Sequence, residues 1–281
     1  MIYCYNDSQG YGRKLYDAVN ENRGSTNMIG MAAQVPNEPQ SIVYINIDGT
    51  QAAQDVYYNL CQYEHIKLIP SQRIVEMSND CMEQQSEIGK WLPSGWIIDN
   101  LRDAVGLIQK VNYPIYDFPD VNRRAIIENS DEAFKLISGK FFPKSERKEF
   151  YLRTVVECKE NEWFVFMLGK KYAFAARTYN NSFAMIDSMN DRYNELLKYA
   201  YTFMADENIN WASVKVICGA DKERKVISPF IDNVYASFPF YWLQTGGMMF
   251  EVDNDGNWKS TGKPALRIFD FAAKMMNEGT L

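Results

Sequence analysis

The chain has 281 residues, of which 46% are hydrophobic and 14% aromatic, and this composition predicts a well-packed globular protein. Its length suits two or three closely packed lobes. The formal net charge of −6 offers no basic surface for the nonspecific binding of nucleic-acid phosphates, so nucleic acid is not an expected partner.

Cysteine and histidine usage, together with hydropathy, excludes further classes. The five cysteines are scattered and contain no CxxC pair, which excludes a disulfide framework and a zinc ribbon and fits reduced thiols in the cytoplasm. The single histidine, His65, disfavours a His-ligated zinc centre and a Ser-His-Asp hydrolase. No apolar run approaches the ~20 residues of a membrane-spanning helix, and no secretory signal is evident, so we expect no membrane partner. The sequence does not predict the oligomeric state.

In the first third of the chain, β-prone segments alternate with amphipathic segments. Strands are predicted at residues 2–5, 42–48 and 66–69, and helices at residues 13–19 and 51–63. Such alternation predicts a parallel sheet with covering helices. We therefore place a first lobe at residues 1–76.

Two further lobes are predicted, at residues 77–145 and 146–281. The first has helices over residues 80–89, 100–110 and 131–137, and it ends in a charged stretch, 143–149, expected to be an exposed connection. The second begins with strands at 151–156, 163–168 and 172–176, which predict an antiparallel meander. A helix over 191–207, strands at 213–217 and 225–227 and a closing helix over 265–276 follow.

Several segments, taken in order, resemble the signature segments of the ATP-grasp carboxylate–amine ligases. They are Asn79–Gln84, Tyr113–Pro119, Asn129–Ala133, Glu162–Lys171, Ala212–Ile217 and Val226–Asn233. The resemblance covers most of the chain. It implies an α/β (α+β) fold in which a Rossmann-like N-terminal lobe is followed by two ATP-grasp-like lobes with antiparallel sheets and a cleft between them.

Several positions depart from the chemistry that the resemblance implies. The family needs two lysines to neutralise a bound triphosphate, and Cys81 and Phe118 stand in their places. Its glycine-rich loop corresponds to residues 120–124, which contain no glycine. Arg123 and Arg124 in this stretch are candidates to supply the missing charge.

The positions that hold magnesium ligands in the family also depart from its pattern. Family members use acids on two neighbouring strands, with an asparagine beside the second. Lys215 stands on the first strand here, which leaves Asp232 and Asn233 as oxygen donors, so no metal site is predicted. Arg177 matches a phosphate-binding arginine of the family, but the alternative interpretation is a solvent-facing charge.

The resemblance and its departures leave three functions open. The leading hypothesis is a non-catalytic binding or scaffold protein, a pseudoenzyme without a cofactor that binds a protein or small molecule in the interlobe cleft. The first alternative is a divergent ATP- and Mg-dependent ligase that forms an acyl phosphate, and the second is a nucleotide-binding regulator. No catalytic residue is predicted. The candidate nucleotide contacts are Arg123, Arg124, Arg177, Lys215, Asp232 and Asn233.

Overall fold

The computed structural model describes residues 1–22, 24–120, 123–141, 149–158, 162–179 and 182–281. Residues 121–122 of the loop stretch 120–124 and residues 143–148 of the predicted connection lie outside them. The chain divides into two compact units. The first unit contains residues 1–75, 164–213 and 235–281, and the second unit contains residues 76–163 and 214–234. Helices and strands are mixed in both, which confirms the predicted α/β class.

The helices are α1 (Tyr11–Glu21), α2 (Gln51–Leu60), α3 (Gln72–Asn79), α4 (Cys81–Ile88), α5 (Leu101–Ile108), α6 (Ser130–Phe141), α7 (Asp191–Asp206) and α8 (Ile268–Asn277). The strands are β1 (Ile2–Tyr5), β2 (Thr26–Ile29), β3 (Ser41–Tyr44), β4 (Ile66–Ile69), β5 (Gly95–Ile98), β6 (Ile115–Asp120), β7 (Arg123–Ile127), β8 (Phe150–Thr154), β9 (Val156–Cys158), β10 (Trp163–Leu168), β11 (Tyr172–Tyr179), β12 (Ser182–Met185), β13 (Trp211–Asp221), β14 (Ile227–Tyr235), β15 (Met248–Val252) and β16 (Trp258–Pro264). In the described part of the chain, no helix has the length and apolar character needed to span a bilayer.

The N-terminal part of the first unit is the predicted parallel sheet, with strand order β2-β1-β3-β4. The turn from β1 into α1 explains why its sequence contains two glycines. Gly10 has a positive φ of 75°, and a Cβ on Gly12 would lie 1.7 Å from the carbonyl oxygen of Tyr5. The carboxylate of Asp7 accepts hydrogen bonds from the backbone N–H groups of Tyr11 and Gly12, at 3.2 and 2.6 Å, which satisfies donors at the helix start.

The first unit also contains an antiparallel sheet in which β10, β11, β15 and β16 are successive neighbours and β12 pairs with β11. Its core is rich in aromatic residues. Phe166 stacks on Phe174 with 5.1 Å between ring centroids, and Trp211 meets Phe166 edge-on at 5.1 Å. Phe240 and Phe269 pack with their ring centroids 5.6 Å apart. Burial of large rings supplies much of the hydrophobic stabilisation of such a core.

The second unit contains an antiparallel sheet of order β5-β8-β6-β7, and it also contains most of β13 and β14, with β9 paired to β13. The predicted meander is wrong at its first strand. The segment predicted at 151–156 divides into β8 and β9, and β8 pairs with β5 and β6. Phe150 and Leu152 of β8 pack in an apolar cluster with residues of α5 and α6, so burial with distant segments outweighs pairing with the next strand in sequence.

Candidate functional site

The side chains of β6 and β8 alternate between two faces of the small sheet. Ile115 and Leu152 belong to the cluster that includes residues of α5 and α6. The opposite face carries Tyr116, Phe118, Tyr151 and Arg153, since residues two apart on a strand point to the same side. A charge cluster is built on this opposite face.

Asp232 of β14 is the centre of the charge cluster and is 1% exposed. Arg153 donates through Nη2 to Asp232 Oδ1 and through Nη1 to the Asp232 carbonyl oxygen, the latter at 3.0 Å. Lys215 Nζ lies 3.2 Å from Asp232 Oδ2, and Asn233 Nδ2 donates to the same oxygen at 3.3 Å. Both carboxylate oxygens of Asp232 are therefore occupied by donors of the protein itself.

Glu162 extends the charge cluster towards the surface. Lys215 Nζ lies 2.9 Å from Glu162 Oε2, so one ammonium group bridges two carboxylates. Arg124 Nη2 is 3.8 Å from Glu162 Oε1, and the Arg124 guanidinium lies over the Tyr116 ring, 4.8 Å from its centroid. We define the charge cluster as Arg124, Arg153, Glu162, Lys215 and Asp232.

The pKa values in the cluster shift so that its buried pair stays charged. Burial by itself would raise the pKa of the Asp232 carboxyl, but Arg153, Lys215 and Arg124 lower it below its ordinary value. Burial likewise would lower the pKa of the Arg153 guanidinium, and Asp232 raises it. Asp232 and Arg153 therefore form a buried ion pair at neutral pH.

Beneath the buried pair lies an apolar cluster that contains Cys81, Phe118 and Tyr151. The Arg153 guanidinium lies over the Phe118 ring, 4.4 Å from its centroid. The Tyr151 hydroxyl donates to Gln85 Oε1 at 2.8 Å. The two residues that stand where the family resemblance implies lysines are thus brought together, and both are buried.

The structure brings four of the predicted site residues together in the second unit: Arg124, Lys215, Asp232 and Asn233. Arg123 precedes Arg124 on β7 and is exposed. Arg177 lies in the first unit, on β11, where it pairs with Ala184 of β12.

The roles of Arg153 and Glu162 were not predicted from the sequence. Arg153 is the only charged residue of β8, all five residues of which are buried, and a buried cation requires a buried counter-charge. This pattern could have predicted that Arg153 forms a buried ion pair. The sequence contains no comparable signal for Glu162, which comes directly before β10.

The charge cluster does not fit a magnesium ion. Magnesium requires about six oxygen ligands, and the oxygens of Asp232 and Glu162 are already engaged by Lys215, Arg153 and Arg124. Among the residues that the structure describes, no group of three or more His, Cys, Asp or Glu side chains is arranged to hold a metal. The ammonium of Lys215 lies between the carboxylates of Asp232 and Glu162 and contacts both of them.

Solved structures identify the fold of the chain. A RimK domain ATP-grasp protein from Sphaerobacter thermophilus superposes with a TM-score of 0.58 at 10% identity, over 97% of this chain and 97% of that chain. The ATP-grasp ligase PsnB, complexed with minimal precursor, Mg and ADP, gives 0.61 at 10% identity, over 99% and 97% of the two chains.

A RiPP-associated ATP-grasp ligase from Chryseobacterium gregarium, in complex with ADP and a leader and core peptide, superposes with a TM-score of 0.61 at 9% identity, over 100% of this chain and 96% of that chain. No protein-family profile matches the sequence, and no curated protein matches it either. The chain has the ATP-grasp fold, which confirms the resemblance to that fold and the α/β class stated from the sequence, whereas the Rossmann-like first lobe and the division into lobes stay predictions.

Proposed function

We propose that this protein is a non-catalytic member of the ATP-grasp fold class that binds a peptide or small molecule without using Mg-ATP. The observation that carries the proposal is the position of Lys215, whose ammonium bridges Asp232 and Glu162 at 3.2 and 2.9 Å. A cation supplied by the chain itself takes the contacts that a metal would need. In this proposal the protein is cytoplasmic and has no resident cofactor.

The energetics support this proposal. A metal could reach Asp232 only if the carboxylate left Arg153 and Lys215, whose side chains are 3% and 12% exposed. Leaving a buried charge without its partner costs roughly 3–5 kcal/mol. Phosphoryl transfer also requires several cations and the metal acting together on the transferred group. The charge cluster instead uses its cations to neutralise its own carboxylates.

The proposed ligand class takes its support from proteins of the same fold. The Chryseobacterium gregarium ligase binds a leader and core peptide, and PsnB binds a minimal precursor. In our proposal this chain keeps the fold as a scaffold for a ligand without a metal site, because a fold does not fix the chemistry that is carried on it.

Calorimetric titration and a turnover assay test the proposal together. The unmodified protein is titrated with ATP and ADP, with and without magnesium, and its ATP turnover is measured with a panel of carboxylate and amine substrates. Arg177→Ala and Lys215→Ala are compared with Lys170→Ala, a matched control at an exposed turn. We expect background turnover in all four proteins and no saturable binding of ATP or ADP, with or without magnesium.

Turnover above background that Lys170→Ala retains and that Arg177→Ala or Lys215→Ala loses would overturn the proposal in favour of a divergent ligase. Magnesium-independent binding of ATP without turnover would instead identify a nucleotide-binding regulator.

A further inference from the structure

The first unit contains a pocket of about 530 Å³ between one side of α1, the 3-10 helix Phe240–Thr245 and the start of α8. Its floor is apolar, since Ala18, Phe240, Leu243 and Phe269 are each 6% exposed or less. Tyr11 closes one end, with its ring 4.8 Å from that of Phe240. An apolar floor with polar groups at its margin is the general form of a small-ligand site.

Some of the charged side chains around this pocket form ion pairs within the protein and others do not. Asp17 pairs with Arg13 at 3.0 Å, and Arg267 pairs with Asp270. Lys14 contacts the Tyr11 ring, 5.0 Å from its centroid. Over the residues that the structure describes, the Lys14 and Glu21 side chains have no partner of opposite charge. The pocket therefore presents one available cation and one available anion.

The two available charges have a defined spacing. Lys14 and Glu21 are seven residues apart on α1, so they lie on the same side of the helix, about 10 Å apart along its axis. An extended chain covers about 3.3–3.6 Å per residue, so about three residues span that distance. The volume of the pocket also suits a ligand of this size.

We propose that this pocket binds a short peptide of about three residues with free termini. The peptide's carboxylate pairs with the Lys14 ammonium, its ammonium pairs with the Glu21 carboxylate, and an apolar central side chain packs on Leu243 and Phe269. Gln244, which also lines the pocket, offers an amide to the peptide backbone. The site lies wholly within the first unit and is separate from the charge cluster, so it does not depend on the function proposed above.

The test combines blocked peptides with charge variants of the full chain. The peptide Ala-Leu-Ala is used with free termini, N-acetylated, or C-amidated, and binding is measured by NMR titration. We expect a Kd of about 1 mM or lower for the free peptide. Each block should weaken binding about fivefold, as expected for the loss of one exposed charge pair.

The variants Lys14→Met and Glu21→Gln assign each terminus to its partner. Binding to Lys14→Met should become insensitive to C-amidation, and binding to Glu21→Gln insensitive to N-acetylation. Lys170→Met, at an exposed turn outside the pocket, should behave like the unmodified protein. Equal affinity for free and blocked peptides, or no saturable binding below about 10 mM, would overturn the proposal.

Discussion

Replacing Asp232 by asparagine tests the buried ion pair of the second unit, because this change removes the negative charge while preserving the size of the side chain. Arg153 and Lys215 then keep their charges at side-chain exposures of 3% and 12%. Removing one partner of a buried pair typically costs about 3–5 kcal/mol, so we expect the free energy of unfolding to fall by that amount.

Glu162→Gln is the matched control for this change. Glu162 also contacts Lys215, but its side chain is 26% exposed, so water can replace the lost contact and a change of about 0–1 kcal/mol is expected. Urea unfolding of both variants, followed by circular dichroism, measures the difference. Losses of similar size in the two variants, or a loss below about 1 kcal/mol for Asp232→Asn, would refute the reasoning.

The pH dependence of the same comparison follows from the lowered pKa of Asp232. A depressed carboxyl pKa contributes stability above the unfolded value of about 3.9, and that contribution is lost as the pH falls through the folded value. The stability difference between the unmodified protein and Asp232→Asn should therefore be full at neutral pH and shrink below about pH 4. A difference that stays constant through this range would contradict the assignment.

Three further predictions concern single residues. Lys215→Asp removes the bridging ammonium and adds a third carboxylate, so Mn²⁺ binding should appear by electron paramagnetic resonance in this variant and be absent in Lys215→Met; binding in neither would contradict our account of metal exclusion. Asp48 is partly buried, which raises its pKa, but hydrogen bonds from Ser8 and Thr50 lower the pKa to about 2. Its stabilising effect should be lost as the pH falls from about 4 towards 2, so that melting temperatures in this range fall less steeply for Asp48→Asn. Phe118→Lys should destabilise the fold by roughly 1–3 kcal/mol or more and create no ATP turnover, and measurable turnover would show that one added cation suffices.

Much of the fold could be predicted because its helices and strands follow local patterns of apolar and capping residues in the sequence. The alternation of strands and helices in the first 76 residues predicted the parallel sheet, and the structure has β1, β3 and β4 close to the predicted segments. The helix predicted at 191–207 is α7, whose start is fixed by Asn190, which accepts a hydrogen bond from the Tyr193 N–H. The division into three lobes at residues 76 and 145 stays a prediction.

The candidate site was predictable only in part, because its chemistry depends on residues that are far apart in sequence. The family resemblance predicted that Lys215 stands where an acid is expected and that Asp232 and Asn233 remain as oxygen donors, and the absence of a metal site stays a prediction. The sequence contained no signal that Arg153 would bind Asp232, 79 residues further along the chain.

Tertiary structure decided that contact by placing β8 in the small sheet with β5 and β6 instead of beside β10. Successive side chains of a strand point to opposite faces of the sheet, so the sequence of β8 already predicts that Leu152 and Arg153 lie on opposite faces. In the structure Leu152 packs in the apolar cluster and Arg153 pairs with Asp232. The strands that pair with β8 are selected by the total apolar burial that distant segments achieve together, and no local sequence pattern predicts that total. Sequence alone therefore determined the types of charge in the charge cluster, whereas the packing of the sheets determined which charges meet.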